Sequence, residues 1–317
     1  MINRREFLGA AAAATLAGCA ASPTKEATAV IPIVDTHQHL WDLGRFRLPW
    51  LANGGPLAKN HLEQDYVDAF HGAGIAQAVY MEVDVAADQK VAEAEYVLDL
   101  CEKAGSPTKA AVIGGRPADP DFAAYLDRFK GDPRVKGVRQ VLFSGGALQP
   151  DFVRGIRALG ERRLRFDLCM PPKDLLDGAK LTELCPETRF VVDHCGNADP
   201  KAWMAAPPEP PQHPKDLWRS GMDALAKRPN VVCKISGIVA RVPKSGWGPE
   251  LLAPVVDACL EAFGPDRVVF GSDWPVCTMG APGARWVAAL RDIVRSRPES
   301  EQHRLLHANA ESFYSLA

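Results

Sequence analysis

The segment Val34 to Asp42, VDTHQHLWD, sets His37 and His39 two residues apart at the end of an apolar run. Alternate residues of a strand share one face, so both imidazoles turn toward a single point, with Asp35 below them on the same side. Farther along, His194 stands in VDHCGN and Asp273 in FGSDWPVC; Glu82, Arg139, Asp167 and Lys234 lie in other β-rich runs, and Arg116 just past one. Imidazoles and carboxylates are the ligand set of a divalent first-row metal such as zinc or manganese. Held by some of His37, His39, Glu82, His194 and Asp273, one such metal would polarise a carbonyl and acidify water, with Asp273 moving the proton. A lone H-x-H carries little weight, because two strand-end histidines also serve as ordinary hydrogen-bonding groups. Recurrence of polar residues at strand ends is what raises the pair above that reading.

Such side chains converge only if the runs that carry them are neighbours in space. Short Val-, Ile-, Phe- or Leu-rich runs occur at 33–37, 76–83, 109–115, 135–143, 164–170, 189–194, 230–237 and 266–273. Helical apolar spacing fills 65–74, 90–105, 119–131, 216–229 and 250–264, and Gly or Pro follows many of these stretches. Strands alternating with helices predict an α/β chain of parallel βα units, and a count of eight predicts a single-domain (β/α)8 TIM barrel over residues 32–317. In that fold the C-terminal strand ends face the reaction. A doubly wound open sheet is the alternative, but no G-x-G-x-x-G turn follows the first strand. The Pro-rich insertion at 197–214 suits a long loop over the catalytic face.

Taken in order, VDTHQHLWD, VDHCGN, CKISG, FGSDWPVC and the closing NAESFY resemble the amidohydrolase superfamily (amidohydrolase-related family 2). The resemblance is to the branch that contains sugar lactonases such as L-fuconolactonase and 2-pyrone-4,6-dicarboxylate lactonase, and it spans nearly all of residues 31–316. It implies a hydrolase that opens a lactone ring, a sugar-acid lactone first, by attack of water. Under it, His37 and His39 match the strand-1 histidines, His194 the strand-6 histidine, and Asp273 the strand-8 general base or proton shuttle. Arg139, in KGVRQ, matches an arginine that contacts substrate. Trp41 and Trp274 are expected to wall the pocket, with Arg116 and Lys234 as further substrate contacts. Two departures stand out: Gln140 follows Arg139 where many sugar lactonases carry His, and Glu82 stands where strand 2 often ends in Gln. The bridging lysine of two-metal members has no counterpart, since Lys234 falls on strand 7, so at most one metal is expected. The pyrone lactonases work without metal, so polarisation by imidazoles and Arg139 directly stays open. The same ligands would also serve a metal-dependent decarboxylase. Outside enzymes, the reading is a surface-anchored binding lipoprotein, against which the intact His37, His39, His194 and Asp273 set speaks.

A formal net charge of −2 and the lack of a basic stripe remove any electrostatic case for nucleic acid. The expected partner is a small-molecule lactone. Asn3 to Gly9, NRREFLG, leads into a short Ala-rich run, as a twin-arginine export signal does. Leu16-Ala17-Gly18-Cys19 resembles a lipobox in which Cys19 is lipidated, giving a signal at 1–19, a tether at 20–31 and a periplasmic destination with a lipid anchor as the one link to a membrane. The seven cysteines beyond Cys19 include no C-x-x-C pair and lie mostly in apolar segments, which predicts buried thiols.

Overall fold

The computed structural model describes residues 30–243 and 245–316. The expected export signal, the lipidation site Cys19 and tether residues 20–29 lie outside the described residues. All eight predicted strands form: β1 (Ile33–Gln38), β2 (Ile75–Met81), β3 (Thr108–Gly114), β4 (Val135–Val141), β5 (Arg165–Cys169), β6 (Arg189–Val192), β7 (Val231–Ile235) and β8 (Val268–Phe270). Each pairs in parallel with the next, and a helix follows each strand. These are α1 (Glu63–Ala69), α2 (Lys90–Glu102), α3 (Phe122–Asp127), α4 (Pro150–Glu161), α5 (Leu175–Leu184), α6 (Lys215–Ala226), α7 (Pro249–Phe263) and α8 (Gly283–Val294). The result is a (β/α)8 barrel. Among the described residues, no helix is long and apolar enough to cross a membrane.

Strand alternation divides the core into two shells. Tyr80, Ile113, Phe166, Phe190, Ile235 and Phe270 pack outward against the helices. Val79, Met81, Ala110, Val112, Val191 and Val232 fill the interior, where Phe313 and Tyr314 of the C-terminal helix Asn309–Tyr314 join them. That helix seals the N-terminal mouth: Arg165 Nη2 donates to the Phe313 carbonyl at 2.6 Å, and Lys136 Nζ to the Ser315 carbonyl at 2.9 Å. Above the apolar layer the interior turns polar, with Asp167 on β5 and Lys234 on β7 completely buried. The barrel core is therefore stratified, apolar below and charged directly beneath the C-terminal strand ends.

The ring meets itself between β8 and β1. Asp273 N donates to the His37 carbonyl at 2.9 Å, His39 N donates to the Trp274 carbonyl at 2.8 Å, and Gln38 bridges to Trp274 in parallel. This seam brings the strand-8 aspartate beside the strand-1 histidines. Asp35, expected on their side, is not there. The register of β1 against β2 shifts between Asp35 and Gln38, which breaks the period of two. Asp35 instead accepts from the Tyr66 hydroxyl of α1 at 2.8 Å and from Ser272 N at 2.7 Å, tying β1 to its helix and to β8.

Of the seven cysteines beyond Cys19, all are free; six are buried and Cys101 is partly so. The Pro-rich insertion is pinned from inside. His213 Nε2 accepts from Asp199 N at 2.8 Å while its Nδ1 faces the Pro214 carbonyl at 3.0 Å, so this histidine shapes the loop.

Candidate active site

Three imidazoles surround one carboxylate at the C-terminal mouth of the barrel. Asp273 Oδ1 lies 3.5 Å from His39 Nε2 and 3.7 Å from His37 Nε2, and Oδ2 lies 4.0 Å from His194 Nδ1. The rings of His37 and His39 meet edge to face at 4.8 Å, and those of His37 and His194 lie 4.5 Å apart. Each ring is held by a partner outside this contact. His39 Nδ1 bonds the Met81 carbonyl at 2.9 Å, which fixes the proton there and leaves Nε2 with its lone pair toward Asp273. His194 Nδ1 bonds the Ser236 hydroxyl at 3.0 Å.

The backbone that presents His194 is unusual. His194, Cys195, Gly196 and Asn197 all have positive φ, between 51° and 65°, a single left-handed turn in which three of four residues carry a Cβ. Each non-glycine residue there costs about 1–2 kcal/mol, so the surrounding packing must hold the turn in place. Two glycines make room for the rings. A Cβ on Gly237 would lie 2.4 Å from His194 Nδ1, and one on Gly271 would lie 2.7 Å from His37 Cβ. The glycines of CKISG and FGSD are thus spaces cut for imidazoles.

Beneath His37 lies a buried ion network. Lys234 Nζ is 2.7 Å from Asp167 Oδ1, 3.0 Å from Asp193 Oδ1 and 3.1 Å from His37 Nδ1, and all four residues have zero exposure. Burial, reinforced by the Lys234 charge, holds His37 neutral, its pKa well below the usual histidine value. Burial likewise lowers His194. Burial alone would raise Asp193, but Lys234 and His37 outweigh it and keep its carboxyl well below the usual range. Arg139 Nη1 approaches His37 Nε2 at 3.4 Å, so a cation stands at each end of the ring. A neutral imidazole accepts at one nitrogen only. Asp193 Oδ1 lies 3.4 Å from Nδ1, on the side of Lys234, while Nε2 faces Asp273 and Arg139.

His37, His39 and Asp273 place their ligand atoms within 4.8 Å of one another, and His37, Asp193 and His194 form a second such group. Buried imidazoles, with a second hydrogen bond orienting His39, and one carboxylate suit a divalent cation with an open position. Glu82 does not join them. Its Oε1 receives Arg139 Nε at 2.7 Å and its Oε2 receives Asp84 N at 2.8 Å, so the carboxylate is occupied in holding Arg139. Lys234 is likewise no substrate contact, since it is fully buried under His37. Arg116 lines a different cavity with Lys90 and Tyr125, and pairs with Asp84 at 3.3 Å. Trp274 turns away from the site to meet His61 and Tyr66 edge to face. Trp41, His39, His194, Arg139 and Asp273 all line one cavity of about 720 Å³. Asp193 and Ser236 complete the site beyond the expected set, and Arg241 also borders this cavity.

Behind Glu82 lies Glu93 of α2, whose Oε1 accepts from Val83 N at 2.7 Å and from the Tyr80 hydroxyl at 3.0 Å. Burial, then the Glu82 charge, pushes its carboxyl up to about 7. A folded-state value above the unfolded one binds extra protons, so this group's stabilising share is complete below about 4.5 and is lost as pH rises through about 7. Glu93→Gln, which keeps the acceptor oxygen, is therefore expected to be more stable than wild type at pH 8 by on the order of 2 kcal/mol, with the gap closing near pH 5. Urea unfolding at the two pH values reads this out; a gap independent of pH rules out the ionisation.

Comparison with known sequences fits this geometry. Residues 34–316 match the sequence model of the amidohydrolase family described as Amidohydrolase. The chain belongs to the amidohydrolase family. It is similar to the L-fucono-1,5-lactonase of Burkholderia multivorans, at 30% identity over 268 residues that cover 78% of this chain and 83% of that one. An uncharacterized protein, y4mH, of Sinorhizobium fredii is 28% identical over 309 residues, 90% of this chain and 99% of its own. Among solved structures, an amidohydrolase from Burkholderia multivorans with bound zinc superposes with a TM-score of 0.78 at 26% identity, covering 90% of this chain and all of that one. This amidohydrolase thus shares its barrel with that zinc-bound structure across nearly the whole described length.

Proposed function

We propose that this amidohydrolase opens a lactone ring by attack of water on the ester carbonyl. The observation that carries the reading is Asp273, a carboxylate within 4.0 Å of three imidazoles at the floor of an open cavity. The likeness to L-fucono-1,5-lactonases supports a lactone over an amide, and makes sugar-acid lactones the first substrates to try. Asp273 accepts a proton from the attacking water as the new C–O bond forms. When the ring C–O bond breaks, the same carboxyl returns that proton to the leaving alkoxide, and a hydroxy acid results. His194, anchored by Ser236, and Arg139, anchored by Glu82, point donors toward the cavity where negative charge grows on the carbonyl oxygen. His37, His39 and Asp273 would hold a divalent metal, which would polarise the carbonyl when bound. Lys234 and Asp193 keep His37 in place from below.

The test is a panel of aldonolactones and aromatic lactones followed by acid release, with and without chelator, alongside metal analysis. Ring opening is expected, and no ring opening of any lactone would sink the reading. Loss of activity on chelation with recovery on adding zinc assigns polarisation to the metal. Full activity in metal-free protein assigns it to His194 and Arg139.

A further inference from the structure

We infer that the lactone this site takes bears an apolar alkyl or aryl arm in place of a full set of ring hydroxyls, an inference that rests on the lactonase reading above. The cavity, at about 720 Å³, lies in the upper part of the range that holds drug-sized ligands, so a single small ring leaves much of it unfilled. Beside its reacting groups the cavity carries a large apolar lining. Trp50 from the β1–α1 loop, Phe143 after β4 and Met279 after β8 all line it, and they are 44%, 55% and 47% exposed. Large apolar side chains left this open on three separate loops around one opening mark a binding surface. Trp50 is fixed for the purpose, its indole N–H donating to the Val83 carbonyl at 2.8 Å while the ring borders the cavity.

The polar residues at the same height are already engaged with each other. Arg241 donates to Asn197 Oδ1 at 2.9 Å and to Gln212 Oε1, and Asn197 Nδ2 donates to the Met170 carbonyl at 3.0 Å. Across the cavity Asp84 pairs with Arg116 at 3.3 Å and with Lys90 at 3.6 Å. A ring carrying several hydroxyls would leave some of them facing carbon without partners, and would disturb these pairs to satisfy the rest. An apolar arm meets neither obstacle. It covers Trp50, Phe143 and Met279 while the ester sits below, beside Asp273 and His194.

The experiment compares gluconolactone with a phenyl-substituted δ-valerolactone on wild type and on Phe143→Ser, after subtracting spontaneous hydrolysis. For wild type, kcat/KM is expected to favour the phenyl-bearing ring by about 10-fold or more, the scale on which apolar pockets discriminate. Phe143→Ser should shrink that preference by about 5-fold. Equal or better turnover of gluconolactone overturns the apolar arm and leaves the lactonase reading standing. If neither lactone opens, the lactonase reading fails and binding decides the arm. Titration of the corresponding phenyl-substituted lactam into wild type should then quench tryptophan fluorescence saturably, and more weakly in Phe143→Ser. No saturable quenching in wild type overturns the inference.

Discussion

Replacing Asp273 by Asn is expected to lower kcat for lactone opening by about 10²–10⁴-fold, the range contributed by a positioned general base, while the protein stays folded. Among the described residues no Lys or Arg lies within salt-bridge distance of the carboxylate; its neighbours are the imidazoles of His37, His39 and His194. Asparagine keeps the shape and one acceptor oxygen, so the backbone seam in which Asp273 N reaches the His37 carbonyl is undisturbed. What is lost is the capacity to take a proton from water and return it to the leaving oxygen. KM should move little by comparison, because the groups that line the cavity walls remain. Steady-state kinetics beside a thermal melt separates the two effects. Full activity in Asp273→Asn removes this residue from the chemistry.

The second large effect concerns stability. Lys234→Met leaves Asp167 and Asp193 as two buried carboxylates with their shared cation gone. Breaking a buried pair in this way costs about 3–5 kcal/mol, because the surviving charge is stranded without water. In a domain of this size that is a fall in melting temperature of roughly 6–10 °C. Asp167 already sits at about 7, pushed up by burial against the pull of Lys234, so it is the carboxylate that takes up a proton once the lysine is gone. Lys234→Met/Asp167→Asn should therefore recover part of the loss. His37 would also lose the cation 3.1 Å from its Nδ1, so activity falls with stability. A melting temperature equal to wild type would take the ion network out of the account of stability.

The alternation of strand and helix signals was enough to read the barrel, because each buried parallel strand must be apolar over its length and each turn must carry a breaker. That His37, His39, His194 and Asp273 meet at one mouth was legible for a similar reason: parallel strands of a barrel bring their C-terminal ends to one face. Depth was not legible. The strand pattern tells which face a residue takes but not how far down the barrel it stands, so Lys234 read as a rim contact and proved to be a buried base for His37. Glu82 read as a ligand because its partner Arg139 lies two strands away, and only the register of β2, β3 and β4 brings them within 2.7 Å. Asp35 misled through the local shift in β1, which sequence periodicity cannot show. Arg116 and Trp274 follow strand ends, where loop direction decides the destination. Asp193 was overlooked beside its more familiar neighbour His194, although a carboxylate one residue before a strand-end histidine is itself a signal.

The C-terminal helix that plugs the barrel has a consequence for how the molecule is made. Synthesis runs from the N-terminus, and domains fold as units once their parts are present. Here the stopper comes after every strand in chain order: Phe313, Tyr314 and Ser315 lie beyond β8, which ends at Phe270. Until they emerge, the interior valines of β2, β3, β6 and β7 have no floor, and Arg165 and Lys136 lack the Phe313 and Ser315 carbonyls. The catalytic mouth, at the opposite end, is built on strands whose interior floor arrives only after the eighth of them.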